Sequence, residues 1–150
     1  MTRRLAEDLG LLLLRLAGVG MAVFHGWGKV VALGSGGGER FIQTVSNLGF
    51  PLPVLFAWAA ALTELVGGVC LALGLGVRVA APALAFTMFV AAFGRHHALD
   101  HLWVALGLQA SGTLEGTGSP EKALVYMIIF VALALLGPGG LSLDRKWRRH

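Results

Sequence analysis

Apolar residues run along this chain in long stretches that few charges interrupt. Four windows share this pattern: 9–31, 53–77, 79–94 and 123–143. Their polar exceptions are Arg15, His25 and Lys29 in the first window and Glu64 in the second. A helix needs about 20 apolar residues to cross about 30 Å of hydrocarbon, so the windows predict four membrane-spanning helices.

Composition supports a membrane environment. The 150 residues are 56% hydrophobic and 13% charged, whereas a soluble domain is about 25% charged. A chain this short has too much surface to keep so many apolar side chains out of water. Runs such as ALVYMIIFVALALL lack the alternation of barrel strands. We therefore expect one all-α transmembrane domain, 1–150, built as a four-helix bundle.

Basic residues predict the orientation of the bundle. With four spans, both termini and the second turn share one side, which carries Arg3, Arg4, Arg78, Arg145, Lys146, Arg148 and Arg149. The other side carries Lys29, Arg40, Arg95 and Lys122. The positive-inside rule then places both termini in the cytoplasm. Arg15 interrupts the first apolar window, so we expect a retained helix and not a cleaved signal peptide.

The first outer connection contains a second kind of helix. In ERFIQTVSNLG, one helical face carries the apolar residues Phe41, Ile42, Val45 and Leu48. Gly49 suits the position after the helix, and Pro51 stops it. We expect a short amphipathic helix at the membrane surface.

The second outer connection contains the motif HHALDH. His97 and His101 are four residues apart, with His96 and Asp100 beside them, which matches a metal-ligand spacing. Haem ligation by His25 with His96 or His97 is a weaker match. The motif is short and has no confirming context in the sequence, so we expect neither a bound metal nor a bound haem. The uncharged stretch 102–114 is too short to span and predicts an interfacial or re-entrant piece.

The most informative feature is a polar stripe on the first helix. At 100° per residue, Arg15, His25 and Lys29 share one face with Gly18 and Ala22. Intramembrane charges usually face the bundle interior, and small residues let another helix approach closely.

The second helix supplies a counter-charge for this stripe. Glu64 is near its middle, and an antiparallel arrangement places it at a depth between Arg15 and His25. We expect contact between Arg15 and Glu64, because pairing offsets part of the cost of burying each charge. The pair either fixes helix register or forms part of a functional site. Cys70, flanked by apolar residues, is expected to be a packing residue.

The order of these segments resembles the DoxX family of small four-span bacterial membrane proteins. The resemblance covers nearly the whole chain and rests on LLLLRLAGVGMAVFHGWGKV, LGFPLP, ELVGGVCLALGLGVRVAAPALAFTM and EKALVYMIIFVALALLGPGGLSLD. It implies family positions at Arg15, Gly26, Lys29, Glu64 and the terminal GPG-x-x-SLD. It also implies a bacterial inner-membrane location and an association with quinone-linked or oxidative-stress complexes.

Three functions remain open on this sequence. The first is a redox-associated subunit in which Arg15, His25, Lys29 and Glu64 bind a quinone or small anion, beside membrane lipids and a partner redox protein. The second is a small-solute transporter, although the chain lacks inverted-repeat symmetry. The third is a structural assembly subunit that forms a homo-oligomer in its membrane complex. Nucleic acid is not an expected partner, because the basic residues sit mostly at the chain ends.

Overall fold

The structure is a computed structural model that describes residues 2–147, and within them every regular element is helical. The helices are α1 (Arg3–Gly34), α2 (Glu39–Asn47), α3 (Pro53–Leu73), α4 (Val77–Arg95), α5 (Ala98–Ala105), α6 (Glu121–Leu136) and α7 (Leu143–Trp147). A 3₁₀ turn, Ser111–Leu114, lies between α5 and α6. The predicted all-α class is confirmed for this part of the chain.

Among the described residues, α1, α3 and α4 are long and apolar enough to cross a membrane. α6 is equally apolar but has 16 residues. The predicted fourth window, 123–143, extends beyond the helix. Gly137 adopts a positive φ of 84°, which is not a right-handed helical conformation. The next residue, Pro138, cannot donate a backbone hydrogen bond to continue the helix. The fourth span therefore stays a prediction, carried by a shorter helix than the window.

Three of the long helices contain a π-helical segment. The segments are Met21–Gly26 in α1, Thr63–Gly67 in α3 and Val90–Arg95 at the end of α4. The first two pack against each other. Such segments are rare and are frequently found at functional sites. They hold His25 and Glu64, so two of the predicted site residues lie at this contact.

The bundle packs as two helix pairs around one core. α1 packs along α3, and α4 packs along α6. The fully buried apolar side chains at the centre are Met21, Leu71, Val77, Leu84, Phe130 and Leu133. Large apolar side chains such as Phe24, Phe86 and Ile128 remain exposed. In a membrane protein these side chains meet lipid, because the bilayer is as apolar as they are.

Glycines bring the backbones of α1 and α3 into direct contact. A Cβ added to Gly18 would lie 2.4 Å from the carbonyl oxygen of Gly68, and one added to Gly26 would lie 2.4 Å from the backbone nitrogen of Leu65. No side chain fits in either place. We call this contact the glycine seam; it fixes the register of the two helices.

The predicted amphipathic helix is confirmed as α2. Val45 is buried, and the other apolar residues of its face, Phe41, Ile42 and Leu48, are partly buried. Gly49 follows the helix with a positive φ of 81°, as its expected position requires. α2 packs on α3, so this connection covers one end of the bundle.

Candidate functional site

The polar face of α1 lies inside the bundle, as its helical period predicts. Arg15, Gly18 and Ala22 are buried, and His25 and Lys29 are partly buried. The small residues of this face form part of the glycine seam. The ionisable residues therefore lie on either side of a tight helix contact.

Glu64 and Lys29 form an ion pair at one end of the seam. The Lys29 ammonium donates hydrogen bonds to Glu64 Oε1 at 2.6 Å and Oε2 at 2.7 Å. The Glu64 side chain is 1% exposed, whereas that of Lys29 is 30% exposed. The carboxylate is thus held in the interior, and the ammonium links it to the surface.

Phe41 of α2 completes this arrangement. Its ring centre lies 4.8 Å from Lys29 Nζ, which is a cation–π distance. We call Lys29, Glu64 and Phe41 the Lys29 site. Sequence reasoning missed Phe41, since its place on the apolar face of an amphipathic helix already explained it.

A groove opens beside the Lys29 site. Its volume is about 330 Å³, and its lining comprises Gly28, Lys29, Ala32, Gly37, Gly38, Arg40, Phe41 and Thr44. One wall comes from α1, and the other comes from α2 and the glycines before it. A ligand in this groove would meet a cation, an aromatic ring and backbone groups together.

The predicted contact between Arg15 and Glu64 is wrong. The seam sets the register: Gly26 lies against the backbone of Glu64 and Leu65. Glu64 is therefore level with Gly26, close to Lys29. Arg15 is 11 positions earlier than Gly26, which corresponds to about 16 Å along the helix. The prediction compared only the centres of the two apolar windows, and that comparison does not fix the depth of Glu64 relative to Arg15 to within a few helical turns.

Arg15 instead binds the backbone near the end of the chain. Its Nη2 donates a hydrogen bond to the carbonyl oxygen of Leu141, and the side chain is fully buried. A Cβ on Gly74 would overlap Arg15 Nη1 and would also approach Ser142. We call Arg15, Gly74 and Leu141 the Arg15 site. Within residues 2–147, Nε and Nη1 of Arg15 have no hydrogen-bond partner.

The segment after α6 closes the Arg15 site through polar contacts to α1 and to the start of α4. Asp144 accepts hydrogen bonds from the backbone N–H of Gly76 at 2.8 Å and of Val77 at 3.1 Å, at the start of α4. Asp8 of α1 accepts one from the Gly140 N–H. This segment, 137–147, is the C-terminal turn. The basic residues Arg148 and Arg149, predicted to anchor the topology, lie outside the described residues.

His25 lies against an aromatic side chain. Its ring meets that of Tyr126 edge-on, with centroids 5.9 Å apart. Tyr126 comes from α6 and is the one tyrosine of the sequence. Sequence reasoning did not single it out, because nothing in the pattern tells which face of α6 approaches α1.

The three histidines just after α4 and in α5 contact polar groups close to them. His97 Nδ1 lies 3.2 Å from Asp100 Oδ2, and His101 Nε2 lies 3.0 Å from the carbonyl oxygen of Gly118. His96 Nδ1 lies 2.6 Å from the carbonyl oxygen of Thr117. In the part of the chain that the structure describes, no three His, Cys, Asp or Glu side chains cluster as metal ligands would.

Comparison with known proteins identifies the family. The DoxX family matches residues 10–97, more than half of the chain. This chain belongs to the DoxX family. The matched residues include Arg15, Lys29 and Glu64, whereas Tyr126 and the C-terminal turn lie beyond them.

Two relatives of this DoxX protein come from Escherichia coli K12. Inner membrane protein YphA is 28% identical over 141 residues, which cover 94% of this chain and 92% of the relative. Inner membrane protein YqjF is 29% identical over 147 residues, which cover 94% and 97%. No solved structure matches the chain. The DoxX protein is thus similar along nearly its whole length to inner membrane proteins.

Proposed function

We propose that this DoxX protein is a quinone-binding subunit of a membrane redox complex, with the Lys29 site as the binding site. The observation that carries the proposal is the ion pair between the buried Glu64 and the partly exposed Lys29. A buried ion pair is weak evidence for stability, because desolvation can exceed the Coulombic gain. Ionisable residues within membrane helices more often mark ligand or proton sites.

The hydrogen-bonding capacity of Lys29 suits a neutral polar head group. An ammonium has three N–H donors, and two of them point to Glu64. The third supports a hydrogen bond to a carbonyl oxygen of the head group, beside the Phe41 ring. Because Glu64 already balances the charge of Lys29, the site favours a neutral ligand over an anion.

The environment also suits an amphipathic ligand. The groove beside Lys29 has apolar lining from Ala32 and Phe41 next to its cations. An apolar tail would lie along this surface while the head reached Lys29. When bound, a quinone supplies two-electron, two-proton chemistry. In the proposal Lys29 orients the head, Glu64 holds Lys29 in place, and a partner redox protein exchanges the electrons.

A small anion is the alternative ligand of the same groove. Arg40 contributes a second cation to the lining of the groove. Unlike Lys29, Arg40 is not paired with Glu64. An assembly role without a ligand is the second candidate function, favoured by the tight glycine seam and the sealed Arg15 site. A homo-oligomer is then the expected form.

The location and topology follow the relatives and the charge pattern. We propose a bacterial inner membrane location, because YphA and YqjF are inner membrane proteins. We also propose that both termini are cytoplasmic, because the side of the bundle that carries them has the excess of Lys and Arg. Four spans and one domain, 1–150, remain part of the same proposal.

Ligand-induced stabilisation in detergent tests the proposed function. A short-tailed ubiquinone analogue should raise the Tm of the wild type, since a ligand at 100 times its Kd stabilises by about 2.7 kcal/mol. Lys29→Gln and Glu64→Gln should reduce the shift. Arg78→Gln, an exposed arginine outside the site, should retain it. Equal shifts in all four proteins would contradict the proposal.

The same assay separates the alternatives. If phosphate, and not the quinone, raises the Tm and Arg40→Gln abolishes that effect, the ligand is an anion. If neither molecule shifts the Tm while Lys29→Gln lowers it, the ion pair serves assembly.

A further inference from the structure

One face of α5 presents large apolar side chains outside the long helices. Leu99, Leu102 and Trp103 of α5, and Leu106, which directly follows it, are between 44% and 59% exposed. Their spacing of three, one and three residues places them within about 100° of a helical face. This is a continuous apolar surface on a helix of eight residues.

The opposite face of α5 is attached to the protein. Ala98 is 7% exposed. The His101 ring lies 3.2 Å from Thr117 Oγ1 and 3.0 Å from the carbonyl oxygen of Gly118. These contacts fix the rotation of the helix about its axis. The apolar face therefore points away from the bundle as a defined surface.

Chain connectivity places α5 at the edge of the membrane. α4, one of the helices long enough to span, ends at Arg95, and α5 begins at Ala98. Three residues reach at most about 10 Å, and the head-group layer on each side of the hydrocarbon is about 5–8 Å thick. Arg95 is also held by the carbonyl oxygens of Gly116 and Thr117, which keeps this loop close to the end of α4.

We infer that α5 is an in-plane membrane anchor whose partner is the lipid surface. Its apolar face enters the boundary between head groups and acyl chains, as amphipathic interfacial helices do. Trp103 sits at the depth where tryptophans concentrate in membrane proteins. The preceding helix α4 also carries exposed large apolar side chains, Phe86 and Phe89, and the connection between the two helices is short. Lipid contact follows from the short connection to α4 and does not depend on the proposed quinone site.

Depth-dependent quenching of Trp103 fluorescence tests the inference. The full chain carrying Trp27→Phe, Trp58→Phe and Trp147→Phe is reconstituted in phosphatidylcholine vesicles with bromines at shallow or deep acyl positions. Shallow bromines should reduce Trp103 emission more than deep bromines, and aqueous iodide should have little effect. A variant that also carries Leu99→Asn and Leu106→Asn should show less quenching by bromine and a red-shifted emission.

A second single-tryptophan protein, retaining Trp27, provides the positive control. Trp27 lies on the exposed surface of α1, so bromines should quench it in the same vesicles. If the triple substitution prevents folding, the difference between wild type and Trp103→Phe gives the same readout. Quenching of Trp103 by iodide alone would overturn the inference, because the face would then contact water. Insensitivity to both quenchers would also overturn it, since a protein partner or second copy would cover the face.

Discussion

The Lys29 site and the Arg15 site lie on one face of α1, 14 positions apart, yet they hold their charges differently. Lys29 pairs with a carboxylate, is 30% exposed and borders a groove. Arg15 is fully buried and binds a backbone carbonyl oxygen. The first site has a donor left for a ligand. The second is closed by the C-terminal turn.

The glycine seam explains why one stripe of residues forms two sites. Gly18 meets Gly68 backbone to backbone between them, so the two helices touch at a level between Arg15 and Glu64. Helical periodicity groups residues by direction, but direction alone does not set the depth of their partners. The difference between the sites therefore comes from packing at the small residues.

Breaking the seam should have the largest effect on both sites. In Gly18→Leu the new Cβ alone would lie 2.4 Å from the Gly68 carbonyl oxygen, and backbone cannot rotate away as a side chain can. We expect a loss of more than about 3 kcal/mol in the free energy of unfolding, above the usual cost of overpacking. SDS titration in mixed micelles, followed by circular dichroism, measures it.

Gly10→Leu is the matched control for this substitution. It places the same side chain in the same helix, where a Cβ would meet nothing within 4 Å. Its stability should stay near that of the wild type. Similar losses for the two variants would show that a leucine at any position of α1 is destabilising, and that the contact with α3 is not the cause.

Removing the Arg15 charge should have a smaller and more local effect. Arg15→Met keeps much of the side-chain volume but leaves the Leu141 carbonyl oxygen without its donor, which costs about 1–3 kcal/mol. The C-terminal turn should become more sensitive to limited proteolysis. The response of Tm to the quinone analogue should persist, because the Lys29 site is distant.

Arg4→Met serves as the comparison, since Arg4 is an exposed arginine of the same helix, α1. Its stability and proteolysis pattern should match those of the wild type. If Arg15→Met folds normally but no longer responds to the quinone, Arg15 belongs to the binding site and the distinction between the two sites fails.

Much of the fold could be predicted from hydrophobic runs and turn residues. The starts and ends of α2, α3 and α4 follow the positions of proline and glycine, such as Pro53 and Gly74. The fourth apolar window, 123–143, is longer than the helix it predicts, because Leu141 and Leu143 continue its apolar composition after the helix has ended at Leu136. Composition identifies the membrane environment but not where a backbone turns.

The candidate site was predictable only in part. The stripe on α1 and the burial of Glu64 follow from periodicity and the cost of exposing charge to lipid. The partner of Glu64 could not be predicted in this way. It depends on the register between α1 and α3, which the glycine seam sets to within one turn. Phe41 and the C-terminal turn reach their sites through long-range packing, which a local pattern does not encode.

The most direct test of the account is a pair of double-mutant cycles that share Glu64. The free energy of SDS-induced unfolding is measured for Lys29→Met, Arg15→Met, Glu64→Gln and the two double variants. Contacting residues couple by about 0.5–3 kcal/mol, whereas residues more than about 7–10 Å apart add to within about 0.5 kcal/mol. We predict clear coupling between Lys29 and Glu64 and additivity between Arg15 and Glu64. Coupling of Glu64 to Arg15, with additivity toward Lys29, would contradict the account.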